Sequence, residues 1–257
     1  MKPVHIIVPL YGRLDYFKQC LASLEAARNK DTTVIVQYDG PADPVAQQML
    51  HGKTGFLLKS GEHVGIAKNL SRGLATSLEL DPDAIRVLIA SDHRVPAGFG
   101  ATIQAVAEYV ADRAEIGHIH HTPGSAEFQG EWAVGAVPVT NARVSLCKSL
   151  SYLCSMPSMI IGKEPACQLV GFLSSYEVSS VPAVNVSRLF LTFWGQRTKL
   201  TGKQAFAVTG LTVEHLGNAK HPEHIKSPEH HEYYLEMKRR KGPAPVLSPH
   251  YYDDLFK

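Results

Sequence analysis

The stretch VHIIVPLYGRLDYFKQCLASL, Val4 to Leu24, changes its period halfway along. VHIIVPL reads as a strand, whereas Leu14, Phe17, Cys20, Leu21 and Leu24 recur at the spacing of one helical face. Between the two, Tyr11, Gly12 and Arg13 form the turn. The alternation repeats downstream. TVIVQY is a strand rich in β-branched residues, followed by the turn-forming DGPADP. DPVAQQML is a short helix, GFLLK a short strand, and GIAKNLSRGLATSLEL a helix with Ile66, Leu70 and Leu74 on one face. RVLIAS is the next strand, and it runs straight into Asp92, His93 and Arg94. Strands alternating with helices predict an α/β fold: an αβα sandwich around a mostly parallel central sheet, with ligands at the carboxyl ends of the strands. The residues just beyond those ends are Tyr11 and Arg13, then Asp39, then Ser91, Asp92 and His93, and they are expected to line one crevice.

Composition agrees with a single large domain. The 257 residues are 44% hydrophobic and 19% charged, enough apolar material for a substantial core. A formal net charge of +2 does not mark a binder of polyanions. Positive charge concentrates only in KRRKG, Lys238 to Gly242, which reads as a solvated helix end. The four cysteines, Cys20, Cys147, Cys154 and Cys167, contain no CxxC pair, which fits a reduced, intracellular protein. The apolar run at the start is too short for a signal peptide and is interrupted by Pro9. No window approaches the roughly 20 apolar residues of a membrane span, so a cytoplasmic protein is expected.

Beyond Ala101 the periodic signals weaken. ATIQAVAEYVADRA predicts a helix, EIGHIHH alternates like a strand, and WAVGAVPV suggests another strand. SPEHHEYYLEMKRRKG carries helix punctuation, with Ser227 at the N-cap, Pro228 in the first turn and Gly242 beyond the end.

Several familiar motifs are excluded. HGKTG lacks the first glycine of a phosphate-binding loop, since Gln47 holds that position. PLYGR after the first strand is no GxGxxG, which argues against a dinucleotide-dependent dehydrogenase. In HEYYL the second histidine of a metalloprotease helix is replaced by Leu235. Among 13 histidines, the groups His118, His120, His121 and His221, His224 lack the tight ligand spacing of a zinc site. His93 and His215 stand apart, because each follows a buried-looking strand. A strand end bearing Asp92 and His93 suits a divalent cation that bridges phosphate oxygens. Spacing alone equally allows a surface turn in which Asp92 caps Arg94.

Taken in order, four segments resemble a nucleotide-sugar glycosyltransferase of the GT-A, Rossmann-like fold, and are most similar to glycosyltransferase family two. VHIIVPLYGRLDYFKQCLASL resembles the family's opening strand, P-T-Y-N-R turn and helix, with Pro9, Tyr11 and Arg13 matching while Leu10 and Gly12 depart. VIVQYDGPAD is similar to V-D-D-G-S-x-D, with Asp39, Gly40 and Asp43 in place and Tyr38 for the first acid. HVGIAKNLSRGL resembles the N-x-G-x-x-x-A-R-N-x-G helix start, with Gly65, Ala67 and Asn69 in place and Lys68 for the arginine. VLIASDHRVPAGF falls where the metal-binding D-x-D belongs. Further on, PSMIIGKEPACQLVGF resembles the acceptor-side strand and helix, VSRLFLTFWGQ the R-x-x-x-x-G helix, and AFAVTGLTVEHLGN the closing strand. The resemblance implies a donor-binding half over residues 1–100, an acceptor-side half over 101–220 and a C-terminal helix and tail over 221–257.

The roles it implies are these. Asp39 hydrogen-bonds the pyrimidine of a uridine-type nucleotide, cradled by the turn at Pro9, Tyr11 and Arg13, and Lys68 lies near the nucleotide or its phosphates. Asp92 and His93 hold the ribose and a divalent cation, Mn2+ or Mg2+, with His215 as a second ligand of the metal or the diphosphate. The reaction moves a sugar from a UDP-sugar to a hydroxyl acceptor, which is a glycan, lipid carrier, protein or hydroxymethylated DNA base. Two departures bear on activity. Ser91 and His93 replace the outer acids of D-x-D, and for His93 the D-x-H of polypeptide N-acetylgalactosaminyltransferases is a precedent. In place of an E-D pair, the window Leu173 to Arg188 offers one acid, Glu177, as the base that would join Asp92 in catalysis and give inversion. A non-catalytic nucleotide-sugar binder is the alternative these departures raise, and a histidine-built metal hydrolase is a second.

Overall fold

The computed structural model describes residues 2–110, 114–121, 135–136, 142–147, 158–175, 190, 193–194, 196–197, 199–202 and 204–216. Glu177 and the C-terminal helix expected around SPEHHEYYLEMKRRKG lie outside them, as does most of WAVGAVPV.

The elements run β1 (Val4–Leu10), α1 (Leu14–Ala27), β2 (Thr32–Tyr38), α2 (Pro44–Leu50), β3 (Phe56–Lys59), α3 (Ile66–Leu80), β4 (Ile85–Ile89), β5 (His93–Arg94), α4 (Phe99–Val110), β6 (Ala114–His121), β7 (Gly135–Ala136), β8 (Arg143–Cys147), β9 (Ser158–Ile161), α5 (Lys163–Ser174) and β10 (Gln204–His215). The main sheet has the order β3-β2-β1-β4-β9-β6-β10-β8-β7, and β5 pairs with β10. From β3 to β4 every pairing is parallel, and β6 is parallel to β10. Antiparallel β9 enters between β4 and β6, which the linear pattern of apolar runs does not reveal.

Period two along each central strand sends side chains to opposite faces. From β1, Ile6, Val8 and Leu10 join Val34, Val36, Val87 and Ile89 beneath Phe17, Leu21 and Leu24 of α1 and Phe99 and Ile103 of α4. On the other face Ile7, Ile35 and Leu88 meet Leu70 and Leu74 of α3, Leu169 and Phe172 of α5, and Phe190, Phe193 and Trp194. Phe193 contacts both Phe172 and Trp194 edge-on, with centroids 5.3 and 4.5 Å apart. Helices therefore cover both faces, as the alternating pattern predicts. Arg197, buried beside this second layer, donates to Gln168 and pairs with Glu164, which ties it to α5.

Two residues set how closely α3 meets β1 and β2. A Cβ at Gly73 would lie 2.6 Å from the Ile7 side chain, so only glycine lets α3 approach β1 this nearly. Asn69, almost fully buried, donates from Nδ2 to the Gln37 carbonyl at 2.8 Å and fixes the first turn of α3 against the end of β2. Pro9 is buried within β1, in register with Gln37 of β2, while the pairing of β1 with β4 ends at Ile7. Its missing N–H thus falls where the ladder to β4 has stopped.

Candidate functional site

Three chain segments converge where β4 and β10 end. After Ile89 the chain turns through Ala90 and Ser91, closed by a bond from the His93 N–H to the Ala90 carbonyl at 3.1 Å. It then forms β5 against the end of β10, in a register that places His93 opposite His215 and Arg94 opposite Glu214. The Leu216 N–H extends this pairing to the Asp92 carbonyl at 2.8 Å. The two imidazoles, distant in sequence, stack with centroids 4.6 Å apart and planes 12° from parallel. On the outer side Arg94 binds Glu214 at 3.1 Å and Gln19 at 2.9 Å, which braces β5 against both β10 and α1.

Asp92 bridges the two rings at their edges. Its Oδ1 is 2.9 Å from Nδ1 of His93, and its Oδ2 is 3.1 Å from Nε2 of His215. Burial pushes the Asp92 carboxyl up, but the hydrogen bonds from His215 and His93 outweigh it and hold the group well below the usual carboxylate range. Burial lowers His93, against the upward pull of Asp92, which favours its neutral form. A deprotonated carboxylate and a neutral imidazole are the forms in which these side chains bind metals. One ligand atom from each of Asp92, His93 and His215 lies within 4.8 Å of the others. Two imidazoles and one carboxylate grouped in this way could hold a divalent cation and leave coordination positions open to a ligand.

Cys20 closes the floor behind this cluster. Its thiol is 3.7 Å from the Ala90 carbonyl and is pushed up to about 12 by burial and by the charge of Asp92, so it fills space and is not a nucleophile.

A second polar group forms at the end of β2. Asp39 continues the strand, its N–H bonded to the Leu10 carbonyl at 2.8 Å, and its side chain is 4% exposed. Oδ1 accepts the Val64 N–H at 2.8 Å, and Nδ1 of His63 lies 3.1 Å from Oδ2. The exposed ring of Tyr11 stacks on His63 at 4.7 Å and 25°. The residues expected at the site thus fall into two groups: Asp92, His93 and His215 in one, and Asp39 joined to Tyr11 through His63 in the other. Arg13, the N-cap of α1 with φ 47°, rests its guanidinium 4.1 Å above the Tyr16 ring. Lys68 is half-buried in the first turn of α3, next to Asn69. His63 was not singled out from the sequence. The available signal was its place two residues before Gly65, whose φ of 82° sets the sharp entry into α3.

No protein-family model matches the chain, and no curated protein matches it in sequence. Solved structures do resemble it. Residues covering 83% of the chain superimpose on 60% of the S. aureus TarS 1-349 fragment in complex with UDP, at 17% identity and a TM-score of 0.56. Mannosyltransferase PcManGT from Pyrobaculum calidifontis, in complex with GDP-Man and Mn2+, is similar over 95% of this chain and 66% of its own, at 16% identity and a TM-score of 0.54. GalNAc-T7 with UDP, GalNAc and Mn2+ gives 10% identity and a TM-score of 0.54, over 84% of this chain and 44% of that one. The chain therefore spans about 60% of the TarS fragment and less of GalNAc-T7. Together these likenesses define the fold: it is the GT-A fold of nucleotide-sugar glycosyltransferases.

Proposed function

We propose that this protein is a metal-dependent glycosyltransferase that takes a sugar from a nucleotide-sugar, a UDP-sugar in particular, and passes it to a hydroxyl acceptor. The observation that carries the proposal is the meeting of Asp92, His93 and His215 at the carboxyl ends of β4 and β10, where an open α/β sheet binds its ligands. The fold and the Mn2+ and nucleotide complexes of similar structures support it.

Each residue has a task that follows from its chemistry. Asp92, His93 and His215 would hold a divalent cation, which when bound neutralises the charge that develops on the departing diphosphate. Asp92 keeps the two imidazoles in register by bonding both. Asp39, buried and acceptor-only, would receive the ring N–H of uracil, and Tyr11 offers a flat apolar surface beside it. Lys68 and Arg13 are assigned to the phosphates and the nucleotide turn. Residues 1–100 form the donor half in this reading and 101–220 the acceptor half. Glu177 is the proposed base for the attacking hydroxyl, with inversion at the sugar. The free Cys20 and Cys167 suit a cytoplasmic setting, and no described helix is long and apolar enough to cross a membrane.

The test is a melting curve followed by a turnover assay. UDP with Mn2+ should raise the melting temperature, and the protein should slowly hydrolyse a UDP-sugar. No shift with any nucleoside diphosphate would overturn the proposal, and binding without hydrolysis would favour a non-catalytic nucleotide-sugar binder.

A further inference from the structure

Asp39 is shielded on one side by a residue that the donor-site reading does not require. Of its two carboxylate oxygens, Oδ1 is held by a backbone amide, that of Val64, while Oδ2 faces Nδ1 of His63 at 3.1 Å. His63 is itself 52% exposed and stacked on Tyr11, so its imidazole stands between solvent and Oδ2. The loop that carries it is tied at several points. The Gly61 N–H bonds the Gly40 carbonyl at 3.1 Å, Arg72 donates to the Glu62 carbonyl at 2.9 Å, and Val64 binds Asp39 itself. His63 is therefore set in place by the backbone on both sides of it.

Nucleobases differ in what they can give a carboxylate. Uracil offers one ring N–H between two carbonyls. Guanine offers a ring N–H and an exocyclic amine side by side, which together engage both oxygens. Hypoxanthine has the purine frame and the ring N–H but no amine. Proteins of this fold bind both uridine and guanosine diphosphate derivatives, so side chains must make the choice. With Oδ2 covered, Asp39 keeps one oxygen, Oδ1, which has a lone pair left for a single ring N–H.

We propose that His63 determines the base preference of the donor site: by covering Oδ2 of Asp39 it favours a uridine diphosphate over a guanosine diphosphate. This rests on the donor-site reading given above. A guanine amine would have to displace the imidazole, and until it does the amine gains no partner.

Calorimetric titration of the full chain in Mn2+ with UDP, GDP and IDP tests this in the wild type, His63→Ala and His63→Ser. The wild type should bind UDP about tenfold or more tightly than GDP, and GDP no better than IDP. Both variants should gain about tenfold for GDP and not for IDP, because only guanine can use the uncovered oxygen. A GDP-to-IDP ratio unchanged by the substitutions, or a wild type that prefers GDP, overturns the role of His63 and leaves the donor reading standing. If no nucleotide binds the wild type, the donor reading falls and this inference falls with it.

Discussion

Asp39 and Asp92 end the two strands that flank β1, and each is a largely buried carboxylate facing histidine, yet their surroundings prepare them for different ligands. Asp92 receives its hydrogen bonds from two imidazoles, groups that can give up a proton and turn the same nitrogen toward a cation. Asp39 is held by the Val64 amide, which cannot exchange its proton for a metal, and among the described residues one imidazole, that of His63, stands near it. A carboxylate among ionisable donors suits a metal, and one fixed by the backbone suits a neutral N–H. In the proposed donor site the pair would divide the pocket into a diphosphate end and a base end.

Single substitutions can break that division. The largest effect should come from Asp92→Ala, which removes one ligand and the bridge between two others. Mn2+ affinity should fall by about 100-fold or more, and with it the Mn2+ dependence of UDP binding. Asp39→Ala should weaken UDP by about tenfold while Mn2+ binding in the absence of nucleotide stays at the wild-type level. Both are read by titration calorimetry. If Asp39→Ala lowered Mn2+ affinity as much as Asp92→Ala does, the two carboxylates would belong to one metal site and the comparison would fail.

A smaller effect concerns a histidine whose hydrogen-bond partner is a hydroxyl, not a carboxylate. His5, on the same strand β1, is buried with Nδ1 2.9 Å from the Ser77 hydroxyl, and burial followed by the nearby Arg86 charge lowers its pKa. The unfolded chain takes up this proton near the ordinary histidine value of about 6.5, and the folded chain resists it. The stability that depends on His5 is therefore complete above that pH and is lost as the pH falls from there through the lowered folded value. Urea denaturation at pH 7.5 and 5.5 should show a smaller loss in His5→Gln than in the wild type. Equal losses would mean that His5 does not stay neutral in the fold.

The first hundred residues were readable in the sequence because their elements are local. The period change between Leu10 and Leu14 marks β1 and α1, and the β-branched run from Thr32 marks β2. The four-residue spacing in α3 likewise predicts its buried face, Leu70 and Leu74. Asp92 and His93 stood out because they follow directly on the apolar run RVLIAS. Strand order was not legible, since β9 reaches its place between β4 and β6 through contacts distant in sequence that leave no local trace. The stacking of His93 on His215 depends on the pairing of β5 with β10, and two residues of strand carry no periodicity. His63 escaped notice because a half-exposed histidine in a polar loop looks like any other until Asp39 and Tyr11 are seen against it.

The central claim is that Asp92 and two histidines form one cation site on which the donor diphosphate binds. Electron spin-echo spectroscopy of Mn2+ bound to the protein with UDP reads the metal's ligand atoms directly. Nitrogen coupling from two imidazoles, reduced to one in His93→Gln and in His215→Gln, is the predicted result. Bound Mn2+ that shows no histidine nitrogen would contradict it.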